Sequence, residues 1–397
     1  MGSLVDLPGR ADVVVVGGGI MGTSAAYFLA AETDRDVVLV EKDRIAGGST
    51  GDSSAILRHH YGEKAVYAKT AWWSHQFYRA FAEEVGEELA HGESPLVRFA
   101  DEDRSDYARA GYEVLRDLDI PVTRYEADEL ADRYPALETD PFSFAVSDDA
   151  AGYSDGTDAA GGFARAAQEL GATVVTGVAV TDVATEDGAV AGVETDEGPV
   201  EADRVVLAAG PWTTRLTERL GVEIPIETTR EQVLVLDPPA EFAAEHPDLV
   251  PTSGPPGGGW YMRPDFGGGV IVATHHTGSE VDPDAYSDTP DQETIVELLD
   301  GLESFAPGLA DADIKGQYCG VYSTTPDHDF VIDQVGPEGC YVACGFSGHG
   351  FKHGPAVGKM LCDLVTAGET DLVDDVDYFS LDRFADDPAG HLNDIDS

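Results

Sequence analysis

One segment, Asp12 to Glu41, constrains the fold more than any other part of this 397-residue chain. It reads DVVVVGGGIMGTSAAYFLA, a short polar link, then DVVLVEK. Val13 to Val16 is a continuous β-branched run, which predicts a strand buried on both faces of a parallel sheet. Gly17, Gly19 and Gly22 follow as G-x-G-x-x-G at a strand-to-helix turn. Each glycine answers a separate need: a tight turn, close backbone approach to a pyrophosphate, and close packing of helix on strand. Thr23 to Ala31 predicts the helix, whose N-terminal amides and positive dipole end favour an anion. Val37 to Val40 predicts a second strand ending at Glu41, 19 residues after Gly22. A carboxylate there accepts hydrogen bonds from ribose hydroxyls and repels a 2′-phosphate. Strand, glycines, helix, second strand and acidic terminus agree on a dinucleotide-binding βαβ unit.

The chain then departs from the further strand-helix alternation of nicotinamide enzymes. It enters a small-residue loop, Ala46 to Ala55, whose backbone amides can approach a large ligand. After a helical stretch at Gly162 to Leu170, the run GATVVTGVAVTDVATEDGAVAGVETDEGPVEADRVVLAAGPWT reads as short strands separated by turns, closing on Val205 to Ala209 and Gly210. A β-meander returning to the nucleotide domain in this way is the organisation of FAD-binding two-domain oxidoreductases. A third block, CYVACGFSGHGFKHGPAVGKMLCDLV, predicts a strand at Cys340 to Cys344, a glycine loop, and a helix opened by Pro355. The N-terminus of that helix is a preorganised partner for negative charge on a reduced flavin.

Charge excludes other partners. Acidic residues number 75 against 24 Lys and Arg, a formal net charge of −51, yet 42% of residues are hydrophobic. Such a chain folds, and its field repels phosphate backbones and anionic lipid, so neither nucleic acid nor membrane insertion is expected. No signal peptide and no apolar run of ~18 residues is visible, which points to a cytoplasmic protein. The acidity fits a halophilic surface, since at molar salt the Debye length is about 3 Å. Against that background, the six lysines (Lys42, Lys64, Lys69, Lys315, Lys352 and Lys359) stand out. The four cysteines, Cys319, Cys340, Cys344 and Cys362, form no metal-binding pair. The pairs His59-His60 and His275-His276, and His349 with His353, lack zinc-site spacing, so no metal is expected.

The motifs GFSGHGFK at Gly345 to Lys352, YSTTPDHDFVID at Tyr322 to Asp333 and GDSSAILRHHYGE at Gly51 to Glu63 occur in this order. With the N-terminal unit they closely resemble the D-amino-acid-oxidase-like family of FAD amine oxidoreductases, in its sarcosine-oxidase-like form, from Asp12 to about Phe384. The resemblance implies an α/β fold with a discontinuous Rossmann-type FAD-binding domain (residues 1–90, 148–220 and 318–397) and a substrate domain with a mixed β-sheet (residues 91–147 and 221–317). It implies oxidation of a small secondary or tertiary amino acid by hydride transfer to flavin, giving an imine that water hydrolyses. FAD contacts are expected from Gly17, Gly19, Ile20, Met21, Gly22, Glu41, Lys42, Gly48, Ser49, Thr50, Val178, Ala209, Gly210 and Trp212. Further contacts are expected from Gly345, Gly348, His349, Gly350, Phe351 and Lys352. Lys352 matches the family lysine that binds the substrate carboxylate, and Arg58 matches its arginine, across a spacing one residue longer. Tyr322 and Tyr261 match active-site tyrosines, and His276 matches a substrate-binding histidine, although neighbouring His275 can take the same role.

Two departures shape the expected chemistry. Aligned without gaps, Val272 stands where sarcosine-oxidase-like relatives carry an oxygen-activating lysine, so a dehydrogenase or slow oxidase is expected, with oxygen or another carrier accepting the electrons. Gly320 stands where the family carries the cysteine that attaches flavin, and Cys319 is one residue early. A one-residue slip on a strand reverses the face, so FAD is expected to be non-covalent. Oxidation of glycine, proline or dimethylglycine remains open, as does a non-catalytic FAD-binding assembly factor with a partner subunit. The acidic tail from Asp371 is expected to fray.

Overall fold

The computed structural model describes residues 7–101, 105–246, 250–374 and 376–386. Val13–Val16 lies at the centre of a six-stranded sheet, pairing in parallel with Val37–Val40 and with Arg204–Leu207. Thr173–Thr176 adds at one end, Cys340–Cys344 and Val331–Gln334 at the other, the last being antiparallel. Alternate valines face opposite layers, as a doubly covered strand requires. Val13 and Val15 pack against helices Ile20–Glu32, Gly156–Glu169 and Gly354–Ala367, while Val14 and Val16 pack against the meander Val180–Glu201. Residues Ile20 to Leu29 are all buried, which is why this helix has no polar face.

A second sheet of eight strands runs in the order Asp313–Thr324, Glu227–Asp237, Val270–Thr274, Trp260–Pro264, Thr252–Ser253, Leu96–Ala100, Phe144–Asp148, Val122–Glu126. It is mixed, since Thr252–Ser253 runs parallel to Leu96–Ala100 among otherwise antiparallel neighbours. One face is covered by helices Ala127–Arg133 and Gln292–Phe305 through Leu234, Met262, Val272 and Leu302. Val233, Ile271 and Ala273 project from the other face, toward the nucleotide sheet. The fold is thus α/β, a Rossmann-type unit built from distant segments and a mixed substrate sheet.

Two expectations change. A domain boundary at 318 would cut Asp313–Thr324, which pairs with Glu227–Asp237 along its whole length and therefore belongs entirely to the substrate sheet. The tail after Asp371 is docked as far as it is described: Phe379 is buried, the Tyr378 hydroxyl donates to Asp329, and Arg383 pairs with Asp327. Its last eleven residues, 387–397, lie outside the described residues. Among the described residues no helix is long and apolar enough to cross a membrane.

Candidate active site

Between the two sheets runs a cleft of about 420 Å³. Its nucleotide end is built by the first strand-to-helix turn. A Cβ on Gly22 would stand 2.0 Å from the Gly17 carbonyl oxygen, and one on Gly17 would stand 2.4 Å from that of Ala208. Only glycine permits this approach of turn, helix and neighbouring strand. Gly17, Gly19, Ile20, Met21, Glu41, Lys42, Gly48, Ser49, Thr50, Ala209, Gly210 and Trp212 all line this end. Glu41 accepts hydrogen bonds from the Gly18 amide at 2.6 Å and the Asp43 amide at 2.8 Å, which fixes its carboxylate in the wall. Thr50 Oγ1 accepts from the Ile20 amide, tying the small-residue loop to the helix N-terminus. Gly19, at the cap position itself, offers no side chain to the remaining amides. The buried Ser49 hydroxyl has no hydrogen-bond partner among the described residues. Uncapped amides, an orphaned hydroxyl and a fixed carboxylate fit the pyrophosphate and ribose of a dinucleotide.

Some expected contacts fall elsewhere. Gly22 does not line the cleft, because its role is spent in packing against Gly17. Val178 turns into the core beneath the meander, leaving Ala179, Val180 and Thr181 to form the wall. His349 and Lys352 line a second chamber instead, while Gly345, Gly348, Gly350 and Phe351 close the far end of the cleft.

The second chamber, about 330 Å³, meets the cleft at Ser53, Ser54, Tyr261, Tyr322 and Gly348. Arg58, Tyr261, His276, Tyr322 and Lys352 all line it. Arg58 and Lys352 are only 5% and 6% exposed, although long cationic side chains normally keep their heads in water. Arg58 donates to the His60 carbonyl at 2.7 Å and lies 4.2 Å from the centre of the Tyr61 ring. Lys352 sits in the turn Phe351–His353, immediately before the helix Gly354–Ala367. Its ammonium adds to burial in holding His349 and His353 well below the ordinary imidazole range, so both are neutral. The Tyr261 hydroxyl donates to Ser54 at 2.8 Å. Gly348 leaves room for the Tyr322 ring, which a Cβ there would meet at 2.3 Å.

Of three further side chains near the cleft, His275 was expected as an alternative to His276, while Glu231 and Asp52 were not singled out from sequence. Both histidines lie against Tyr322: His275 Nδ1 is 3.3 Å from its hydroxyl, and the ring centres of His275 and His276 lie 5.9 and 5.6 Å from that of Tyr322. Glu231 is a buried carboxylate in the cleft wall. Asp52 lines the cleft beside Gly320, and burial pushes its carboxyl up to about 6 against a smaller lowering by Arg44. The alternation EQVLVL could have revealed Glu231, since it shares a face with Val233.

The face of the strand Val270–Thr274 corrects one expectation. Val272 points away from the cleft into the helix-covered core, so a lysine there would not reach the cofactor. The opposite face carries Ile271 and Ala273, both apolar, and of these Ala273 lines the cleft. Cys319 likewise is absent from the cleft wall, where Gly320 stands. Among the described residues no group of three or more His, Cys, Asp or Glu is placed to hold a metal ion.

A dinucleotide cleft opening past two tyrosines into a chamber with buried cations defines a flavin-dependent oxidoreductase of the two-domain type. The chain belongs to the FAD dependent oxidoreductase family, which matches residues 12–364, and FAD is its cofactor. Monomeric sarcosine oxidase of Bacillus sp. (strain NS-129) is 30% identical over 385 residues, covering 94% of this chain and 97% of that protein. Mitochondrial dimethylglycine dehydrogenase of Homo sapiens is 26% identical over 91% of this chain and 43% of its own length. Among solved structures, L-proline dehydrogenase from P. horikoshii superposes with a TM-score of 0.86 at 27% identity, covering 96% of this chain and 99% of that one. Glycine oxidase from Geobacillus kaustophilus shares the fold, with a TM-score of 0.81 at 24% identity over 94% and 98% of the two chains.

Proposed function

We propose that this enzyme oxidises the C–N bond of a small secondary or tertiary amino acid of the sarcosine type. The observation that carries the reading is the burial of Arg58 and Lys352 in one chamber opening on the cleft. On a protein of net charge −51, two buried cations lining one chamber make it a locally positive site, and a substrate carboxylate suits it. Arg58 and Lys352 hold the carboxylate, while Tyr322, Tyr261 and the adjacent histidines wall the amine. Bound FAD supplies the two-electron acceptor, taking a hydride equivalent from the carbon beside nitrogen. The protein's task is to hold that carbon in place with the amine uncharged; water then hydrolyses the imine. The names of the relatives, sarcosine oxidase, dimethylglycine dehydrogenase and L-proline dehydrogenase, support this substrate class.

The electrons pass to a carrier other than oxygen, or to oxygen slowly. The support is that Val272 is turned into the core and that Ala273, which lines the cleft from the strand's other face, is apolar, so neither position offers a cation to developing superoxide. FAD is held without a covalent bond, since Cys319 leaves the cleft wall to Gly320. The acidic surface supports a cytoplasm of high salt as its setting. Anaerobic mixing in high salt with sarcosine, dimethylglycine, proline and glycine tests the reading. The flavin should bleach with one or more of them, and a flavin that no amine bleaches would refute it. Yellow colour retained in an acid-precipitated pellet would refute non-covalent binding.

A further inference from the structure

Glu231 sits where an apolar side chain would be the cheaper choice. It is 3% exposed, on the cleft face of Glu227–Asp237, directly opposite Gly320 and two residues before Val233. With Val233, Ala273 and Gly320 it forms the sheet-side wall at the end closed by Gly345 to Phe351. All of its donors among the described residues are neutral. Thr274 Oγ1 donates to Oε2 at 2.7 Å, and Thr229 Oγ1 and the Gly278 amide approach Oε1 at 3.3 Å. Thr274 is itself fixed, accepting from the Gln232 amide at 2.8 Å. Donors converge on both carboxyl oxygens, and among the described residues none of them is a cation.

We infer that Glu231 lowers the electron affinity of the flavin that this cleft would hold. A flavin ring placed between the sheet and the Gly345–Phe351 loop, as the proposed function requires, lies beside this carboxylate in a setting of low dielectric. Two-electron reduction with uptake of one proton leaves the ring anionic, and so does addition of sulfite to the oxidised ring, so both are disfavoured beside Glu231. The N-terminus of Gly354–Ala367, which follows the same loop, acts in the opposite sense, so the two set the ring's electron affinity between them. Glu231 acts on the cofactor through its field, and it needs no contact with substrate.

The test uses the full-length holoenzyme in high salt and does not depend on turnover. Sulfite adds reversibly to oxidised flavin and makes the ring anionic, so its affinity reads the local field. Glu231→Gln and Glu231→Leu should bind sulfite at least ten-fold more tightly than the unsubstituted enzyme, and Glu231→Asp should stay close to it. A matching rise in the flavin's two-electron midpoint potential, about 30 mV for each factor of ten, should accompany the change. Unchanged sulfite affinity and potential in both neutral variants with FAD bound overturn the inference. So does a raised KM for the amine as the sole effect, which would make Glu231 a substrate contact. Should the variants not fold, the unsubstituted holoenzyme decides alone: a midpoint potential above that of free FAD overturns it. A normal sulfite series with no amine able to bleach the flavin would refute the proposed function and leave this inference standing.

Discussion

The Tyr61 hydroxyl lies 2.9 Å from Nε2 of His353, a contact between residues 292 positions apart that locks the Arg58 segment to the Lys352 turn. Its direction follows from the neighbouring bonds. Thr70 Oγ1 donates to the Val66 carbonyl at 2.9 Å, so at 3.0 Å it accepts from His353 Nδ1. Nε2 then carries the lone pair, and Tyr61 donates to it. The ring so fixed is the one on which the Arg58 guanidinium lies.

Tyr61→Phe keeps the ring but removes the donor, leaving a buried imidazole nitrogen unpaired. The expected stability loss is about 1–3 kcal/mol, read from urea unfolding. Because Arg58 loses its fixed platform, KM for the amine should rise several-fold with little change in the anaerobic bleaching rate at saturation. An equal fall in both would mean the pair serves stability only.

Lys352→Met tests the anion site directly. Met matches the length of the side chain and removes the charge, so the folded state should survive. A charge-assisted hydrogen bond to a buried carboxylate contributes about 1.5–3 kcal/mol, so KM should rise on the order of ten- to a hundred-fold. Amines without a carboxylate should be affected far less. A uniform effect on both kinds of substrate would remove Lys352 from carboxylate binding.

The parts of this site that were legible in sequence are those built from local rules. The G-x-G-x-x-G turn, the buried valine strand and the acidic strand end lie within thirty residues, and each obeys a short-range steric need. Arg58, Tyr322, Tyr261 and Lys352 were legible through motif resemblance, and they share one chamber. What stayed hidden depended on which way a strand faces. The glycine turn Gly267–Gly269 precedes Val270–Thr274, and a single-residue ambiguity there exchanges the faces of Val272 and Ala273. Glu231 was hidden for another reason: polar residues on a strand usually face water, and its burial depends on the distant Thr274 and Gly278. The extent of Asp313–Thr324 was missed because its first half is polar and exposed, being the edge of its sheet.

Acid should unfold the protein earlier than its carboxylates alone require. His60 is fully buried, and desolvation, aided by Arg98, brings it down from 6.5 to about 4. His75, also buried, falls to about 3 through desolvation and the neighbouring His59, whose Nε2 lies 3.0 Å from its Nδ1. Unfolded, both imidazoles take up protons below pH 6.5, whereas folded they stay neutral to about pH 4. Stability is therefore full above pH 6.5, falls as pH drops toward 4, and levels off below the folded values. His60 alone should account for a loss on the order of 3 kcal/mol. Urea midpoints measured from pH 8 to 4 in constant salt check this. His60→Gln, which cannot charge, should flatten the slope between pH 6.5 and 4.

Removing salt should open the molecule from its surface inward. The net charge of −51 is spread over the whole chain, so lowering ionic strength lengthens the Debye length from about 3 Å at 1 M to about 10 Å at 0.1 M and lets distant carboxylates repel one another. The proposed island of positive charge behaves differently. Arg58 and Lys352 are buried, so their grip on a carboxylate is screened little by salt. Thermal midpoints should therefore fall steeply as KCl is lowered from 2 M to 0.1 M, while the KM of protein that remains folded changes less than about three-fold. A KM that follows the salt as strongly as stability does would show that surface charge, rather than the buried pair, governs substrate capture.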